Sequence, residues 1–277
     1  MKHSPFLFAA ILSIYLAPVQ SSNGDIQEFN DYINKSISKA NIAGMSIAIV
    51  SGDSNLFAQG YGYSDIQTKE PFTPETVMNI ASISKTFVGV ALMHLVEKGL
   101  ISLDDDVNNF LPFKVLNPHL PESIITTRHL MSHSSGIKDD QKVYLPSYHY
   151  GGDSPTPLGE FLADYLSPDG THYSKKNFTK SKPGGEFVYS NIGAGLAGYI
   201  VERVSGKPLP IFTRDVIFKP LGMNNTCWFM SEMDLSKHTR LYESEKKHTQ
   251  LKKVDLYGLT TYPDGGVRTT VTDLSYY

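Results

Sequence analysis

The sequence predicts a mixed α/β (α+β) fold in which a helix and an antiparallel hairpin precede a mostly helical body. Three observations carry this expectation. Ile26, Phe29, Ile33 and Ile37 recur at helical spacing, so residues 25–40 read as an amphipathic helix. The apolar run Met45 to Val50 faces Asn55 to Tyr63 across the turn Ser51-Gly52-Asp53-Ser54, the pattern of a β-hairpin packed on that helix. From Ser82 a second helical pattern passes through Phe87, Leu92, Leu95 and Val96 and stops at Gly99.

Further helical patterns cover 126–133, 157–166, 190–204 and 210–218. Two loop-rich stretches, 137–156 and 167–187, interrupt them. They hold Tyr144, Tyr148, Tyr150, Gly151, Gly152 and a Lys/Ser cluster, and loops of this length either line a binding site or form solvated surface. A lone two-stranded hairpin is marginal and wants more strands beside it, yet the last part of the chain supplies little clear strand pattern. There is no internal repeat and no low-complexity segment.

Composition sets the outer limits. The chain has 277 residues, 40% hydrophobic and 19% charged, enough for one large domain or two intimate lobes. A net charge of −3 offers no basic field, so nucleic acid is not an expected partner. Met1-Lys2-His3 is a short basic start, Phe6 to Leu16 is apolar except for Ser13, and Val19-Gln20-Ser21 offers small residues after Pro18. Residues 1–21 therefore read as a secretory signal peptide, with an uncleaved anchor as the alternative. Residues 22–277 form the expected domain, secreted or periplasmic, with no stable membrane span after cleavage.

Cys227 is alone, so no intramolecular disulfide can form. The nine histidines show no metal-ligand spacing, and neither a metal nor another cofactor is expected. His129 and His133 stand four apart and read as a packed or capping pair.

Ser82 lies where a loop enters a helix, and Lys85 follows one turn later on the same face. A serine hydroxyl needs an adjacent base to become a nucleophile, and a lysine that can shed its proton supplies one. The helix start adds free N–H groups that suit a developing oxyanion. Alone, Ser-x-x-Lys is better read as a capping serine followed by a solvated lysine. A second element shifts the balance. Tyr189-Ser190-Asn191 sits between the glycine turn Pro183-Gly184-Gly185 and a helix, and can aim a phenol and a carboxamide the same way.

Together these pieces resemble the serine β-lactamase and penicillin-binding protein superfamily, in particular its class C-like branch. The resemblance rests on Ala81-Ser82-Ile83-Ser84-Lys85-Thr86-Phe87, Gly99 to Asp105, and Leu130-Met131-Ser132-His133-Ser134-Ser135-Gly136. It continues through Phe187-Val188-Tyr189-Ser190-Asn191, Pro220-Leu221-Gly222-Met223 and Gly265-Gly266-Val267 with Thr269 and Asp273. It implies a β-lactamase/transpeptidase-like fold, an antiparallel sheet flanked by helices beside a mostly helical lobe.

It also implies a mechanism. Ser82 would attack a carbonyl to form an acyl-enzyme, Lys85 and Tyr189 would move the proton, and Asn191 would bind the substrate. Which of Lys85 and Tyr189 is the base stays open. The substrate would be a β-lactam, a peptidoglycan-type D-amino-acid peptide or an ester. His133 and Gly136 are expected to be fold determinants, and Pro220 to Met223 to end a helix.

Members of that group carry a third motif, Lys-Thr-Gly or His-x-Gly, on a strand beside the nucleophile. None follows Tyr189. The resemblance thus implies a C-terminally incomplete member, its sheet short of strands and left with an unpaired edge. A missing oxyanion donor would cost roughly 10²–10³ in rate. The alternative function is a non-catalytic or impaired penicillin- or peptidoglycan-binding relative. An α/β-hydrolase is disfavoured because no Gly-x-Ser-x-Gly elbow is present.

Overall fold

The computed structural model describes residues 23–244 and 250–277, so the expected signal peptide lies outside the described residues. Helix α1 (Asn23–Ala40) leads into the hairpin β1 (Gly44–Ser51) and β2 (Ser54–Asp65), and the short β3 (Glu70–Pro71) completes a three-stranded antiparallel sheet in the order β1-β2-β3. Gly44 pairs with Gly62 and Ile47 with Gln59. The apolar stripe of α1 covers the hairpin as its periodicity predicts. Phe29 meets Phe57 edge to face at 5.7 Å, and the Tyr61 hydroxyl donates to Asn30 Oδ1 at 2.6 Å. β1 is an edge strand among the described residues, with Ile49 and Val50 exposed.

β4 (Met78–Asn79) and a 3-10 turn at Ala81–Ile83 deliver the chain into α2 (Ser84–Glu97). The body follows as α3 (Thr127–Met131), α4 (Gln141–Tyr144), β5 (Tyr148–Tyr150), α5 (Leu158–Leu166), α6 (Asn191–Ser205) and α7 (Leu209–Thr213), which runs on through one π turn to Phe218. The chain then forms β6 (Leu241–Ser244), β7 (Leu251–Val254), β8 (Tyr257–Leu259), β9 (Arg268–Thr269) and α8 (Val271–Leu274). No helix among the described residues is long and apolar enough to cross a membrane.

Two expectations need correction. The stretch 137–156 is not all loop, because Asp140 caps α4 through the Lys142 N–H and Tyr148–Tyr150 pairs with β8. The last part of the chain does contain strands. They are two to four residues long, too short to show alternation, and they pair with distant or neighbouring segments as β4–β9, β5–β8 and β6–β7. Pro220 to Met223 does end a helix, with Gly222 in the left-handed region.

The core sits between α2 and α6. Phe87, Leu92 and Leu95 from α2 and Ile192, Leu196 and Ile200 from α6 are almost wholly buried. α6 is rich in small residues for a physical reason. The turn Tyr262–Asp264 lies directly on it, and a Cβ placed on Gly198 would stand 2.5 Å from Pro263 Cβ. The same turn is tied to α6 by the Tyr262 hydroxyl, which donates to Glu202. Arg268 is a second pin. Its buried guanidinium donates to the main-chain carbonyls of Trp228, Gly266 and Tyr257, tying its own segment to the two others.

Replacing Gly198 with Ala is expected to destabilise the protein by about 1–3 kcal/mol, since the added methyl must push Pro263 off α6. Urea denaturation measures this, and a loss under about 0.5 kcal/mol would contradict the close packing described.

Candidate active site

Ser82 is exposed at the mouth of α2, and its position is set by a strained turn. Ala81 adopts φ +46°, a conformation uncommon for residues other than glycine, and its N–H donates to Asn79 Oδ1 at 2.8 Å. Asn79 in turn donates to Gly265 O at 3.1 Å, and β4 pairs with β9 through Met78–Thr269 and Asn79–Arg268. Helical hydrogen bonding begins just after the serine, where Ile83 N–H donates to Ile80 O at 3.2 Å. The Ser82 N–H precedes that first bond, at the positive end of the helix.

The structure brings all four sequence-predicted residues together. Lys85 lies one turn into α2, only 8% exposed, and its ammonium donates to Ser82 Oγ at 3.1 Å, Asn191 Oδ1 at 2.8 Å and Asp264 O at 2.6 Å. The capping reading, with a solvated lysine, therefore fails. Tyr189 donates its hydroxyl to Ser82 Oγ at 2.7 Å, and the Lys85 ammonium stands 4.9 Å from the centre of its ring. The serine oxygen thus faces both a phenol and an ammonium. Such an arrangement can take a proton from an attacking hydroxyl and return it to a leaving group.

Several residues that hold this geometry carry no recognisable sequence signal. Asp139 accepts from Ser190 Oγ at 2.8 Å, from Asn191 N–H at 2.8 Å and from Ile192 N–H at 3.1 Å. Together with Ser190 Oγ, which caps Gly193 N–H at 2.9 Å, it satisfies the start of α6 and fixes Asn191. Ser84 Oγ accepts from Val267 N–H at 3.0 Å, tethering the Gly265-Gly266-Val267 segment to α2. An aspartate far from any motif and the second serine of Ser-Ile-Ser-Lys could be found only once the fold had placed them.

The histidines behave as expected of a packed and capping pair. His129 Nδ1 accepts from the Thr126 N–H at 3.2 Å in a capping box at α3. His133, at φ +52°, accepts from Ser190 N–H at 3.2 Å, and its ring lies 4.4 Å from that of Tyr189. Burial holds its imidazole below the usual histidine range, aided by the charge of Lys85. Gly136 occupies the left-handed region at φ +79°, which explains its requirement for glycine. Among the described residues no cluster of His, Cys, Asp and Glu could hold a metal ion. A cavity of about 550 Å³, bounded by His119, Leu120, Ile124 and Lys182 among others, contains none of the four site residues.

Comparison with known proteins gives this geometry a context. A family model described as "Beta-lactamase" matches residues 26–277. The chain is 30% identical over 260 residues to "Protein flp" of Staphylococcus aureus strain MRSA252, covering 92% of this chain and 48% of that protein. Among solved structures, the octameric penicillin-binding protein homologue from Pyrococcus abyssi superposes with a TM-score of 0.76 at 32% identity, covering 91% of this chain and 55% of that one. The D-amino acid amidase from Ochrobactrum anthropi SV3 gives a TM-score of 0.71 at 24% identity, over 91% of this chain and 69% of that one, a likeness of fold. The chain spans about half the length of the first two relatives.

Removing the Asp139 carboxylate is expected to cost about 2 kcal/mol, because two N–H groups and a hydroxyl lose a charged acceptor. Chemical denaturation of Asp139→Ala checks this, and a change within about 0.5 kcal/mol would show that α6 does not depend on that cap.

Proposed function

This chain belongs to the beta-lactamase family, whose structural neighbours include hydrolases, and on that premise we propose that it is a serine hydrolase working through a Ser82 acyl-enzyme. Its substrate in this reading is an amide or ester: a β-lactam, a D-amino-acid peptide or a carboxylic ester. The observation that carries the proposal is the double contact at Ser82 Oγ, 2.7 Å from the Tyr189 hydroxyl and 3.1 Å from the Lys85 ammonium. An N-cap serine with no chemical role needs neither partner.

The proposed reaction follows from those contacts. Ser82 Oγ attacks the carbonyl carbon, and its proton leaves through Tyr189 or Lys85, the two groups that touch it. The carbonyl oxygen gains negative charge as the tetrahedral intermediate forms, beside the N–H of Ser82 at the head of α2. Collapse expels the amine or alcohol, which takes up the proton. Water then attacks the ester of Ser82 by the same route in reverse. Asn191, already bonded to Lys85, presents its carboxamide at the same opening and holds the substrate. The likeness to a D-amino acid amidase and to a penicillin-binding protein homologue supports an acyl substrate, with no choice made among the three classes. The leader-like residues 1–21 support action outside the cytoplasm.

Incubation with a fluorescent penicillin and a fluorescent fluorophosphonate tests the proposal. At least one should label the protein, Ser82→Ala should abolish the label, and Tyr189→Phe should slow labelling by about 10²–10⁴-fold. Absence of any label on the wild-type protein would overturn the catalytic reading and favour a binding relative. A persistent penicillin adduct would support the acyl-enzyme with slow turnover, and rapid hydrolysis would support a lactamase.

A further inference from the structure

Behind Lys85 lies a buried carboxyl that the proposed reaction does not use. Asp264 is 2% exposed, and its main-chain carbonyl is the third acceptor of the Lys85 ammonium, at 2.6 Å. Its side chain accepts from the Tyr144 hydroxyl, at 3.2 and 3.3 Å to the two carboxyl oxygens, and from the Thr261 hydroxyl. Among the described residues no basic side chain forms an ion pair with it. A wholly buried carboxyl with two neutral donors and a cation just beyond its own peptide group is an expensive feature to maintain for packing alone. Its neighbour Pro263 rests on Gly198, and Tyr262 of the same turn donates to Glu202 of α6.

We propose that Asp264 is a positioning residue of this site, whose clamped carboxyl fixes the carbonyl that receives Lys85 and whose charge governs how firmly that ammonium is held. The inference rests on the serine-hydrolase reading for its catalytic meaning, while the coupling of Asp264 to Lys85 stands on the contacts themselves.

The charged and titratable groups facing Asp264 come from every element packed on it. Lys85 from α2 favours the carboxylate, and Thr261 and Tyr144 stabilise it by donating hydrogen bonds. Asp139 opposes it, while the phenols of Tyr148 on β5 and Tyr257 on β8 feel its charge. Burial outweighs the favourable contacts and pushes the carboxyl up to about 7. The charge beside Lys85 therefore changes in the neutral range. Above that pH the carboxylate strengthens the hold on the ammonium; below it the neutral acid loosens that hold.

Two readouts test this. Carbon-13 NMR of protein labelled at aspartate carboxyl carbons, with the Asp264 signal assigned by its loss in Asp264→Asn, should show a midpoint near 7. That midpoint should move up in Lys85→Met, which removes the stabilising cation, and up again in Tyr144→Phe, which removes a donor to the carboxylate. In parallel, the pH dependence of fluorophosphonate labelling should carry an inflection at the Asp264 midpoint that Asp264→Asn loses. A purely structural Asp264 would lower the rate at every pH and leave the inflection in place. An Asp264 midpoint in the ordinary aspartate range, or one unmoved by both Lys85→Met and Tyr144→Phe, overturns the proposal; where Asp264→Asn fails to fold, the signal is assigned in the wild-type protein by through-bond correlation to the Asp264 amide. If the wild-type protein takes no label at any pH, the hydrolase reading fails, and the NMR midpoints alone decide the coupling.

Discussion

The buried ammonium of Lys85 organises the candidate site. Lys85 lies almost out of reach of water, and an ammonium in that position must spend its three N–H donors on protein acceptors. It does so on Ser82, Asn191 and Asp264, from three segments that meet only because the chain folds around it. The first is on the same turn of helix, the second opens α6, and the third closes a turn near the end of the described chain. Each of these segments has to be held in place, and most of the polar structure nearby does that.

The holding devices differ at the three corners. At Ser82 the chain accepts an uncommon φ at Ala81, a strain of order 1–3 kcal/mol, offset by the Asn79 side chain and the β4–β9 pairing. At Asn191, Asp139 and Ser190 together cap α6 so that the carboxamide begins a rigid helix instead of ending a loose loop. At Asp264, glycines on α6 let the turn approach, and Glu202 and Tyr144 anchor it. Ser84 links the first corner to the third through Val267. A preorganised site of this kind asks for little reorganisation when charge develops on a bound carbonyl, the condition under which fixed dipoles act most strongly.

Much of this was legible in the sequence, for reasons that differ by feature. The first helix, the hairpin and the long helices announce themselves by periodicity, because each buries one continuous face. Ser82, Lys85, Tyr189 and Asn191 were legible as members of an ordered set of motifs that resembles a known family, whereas the spacing of Ser82 and Lys85 alone fitted a capped helix. The short strands β5 to β9 were not, because two to four residues give no alternation, and β5, β8 and β9 pair with segments far away in sequence. Asp139, Asp264 and Ser84 were equally silent. Their significance comes from long-range contacts that a spacing rule cannot express, such as the 179 residues between Lys85 and the carbonyl that receives it. Helix α4 was missed for a simpler reason: four residues hold too little pattern to distinguish a helical turn from a loop.

The central claim is that Ser82 Oγ is the atom that becomes acylated. Tandem mass spectrometry of proteolysed protein, quenched after brief exposure to a β-lactam or an activated ester, reads that atom directly. The mass increment should fall on the peptide containing Ser82 and be localised to that residue. An increment carried by Ser84, by Ser134 or by any other residue, with Ser82 unmodified, would contradict the account.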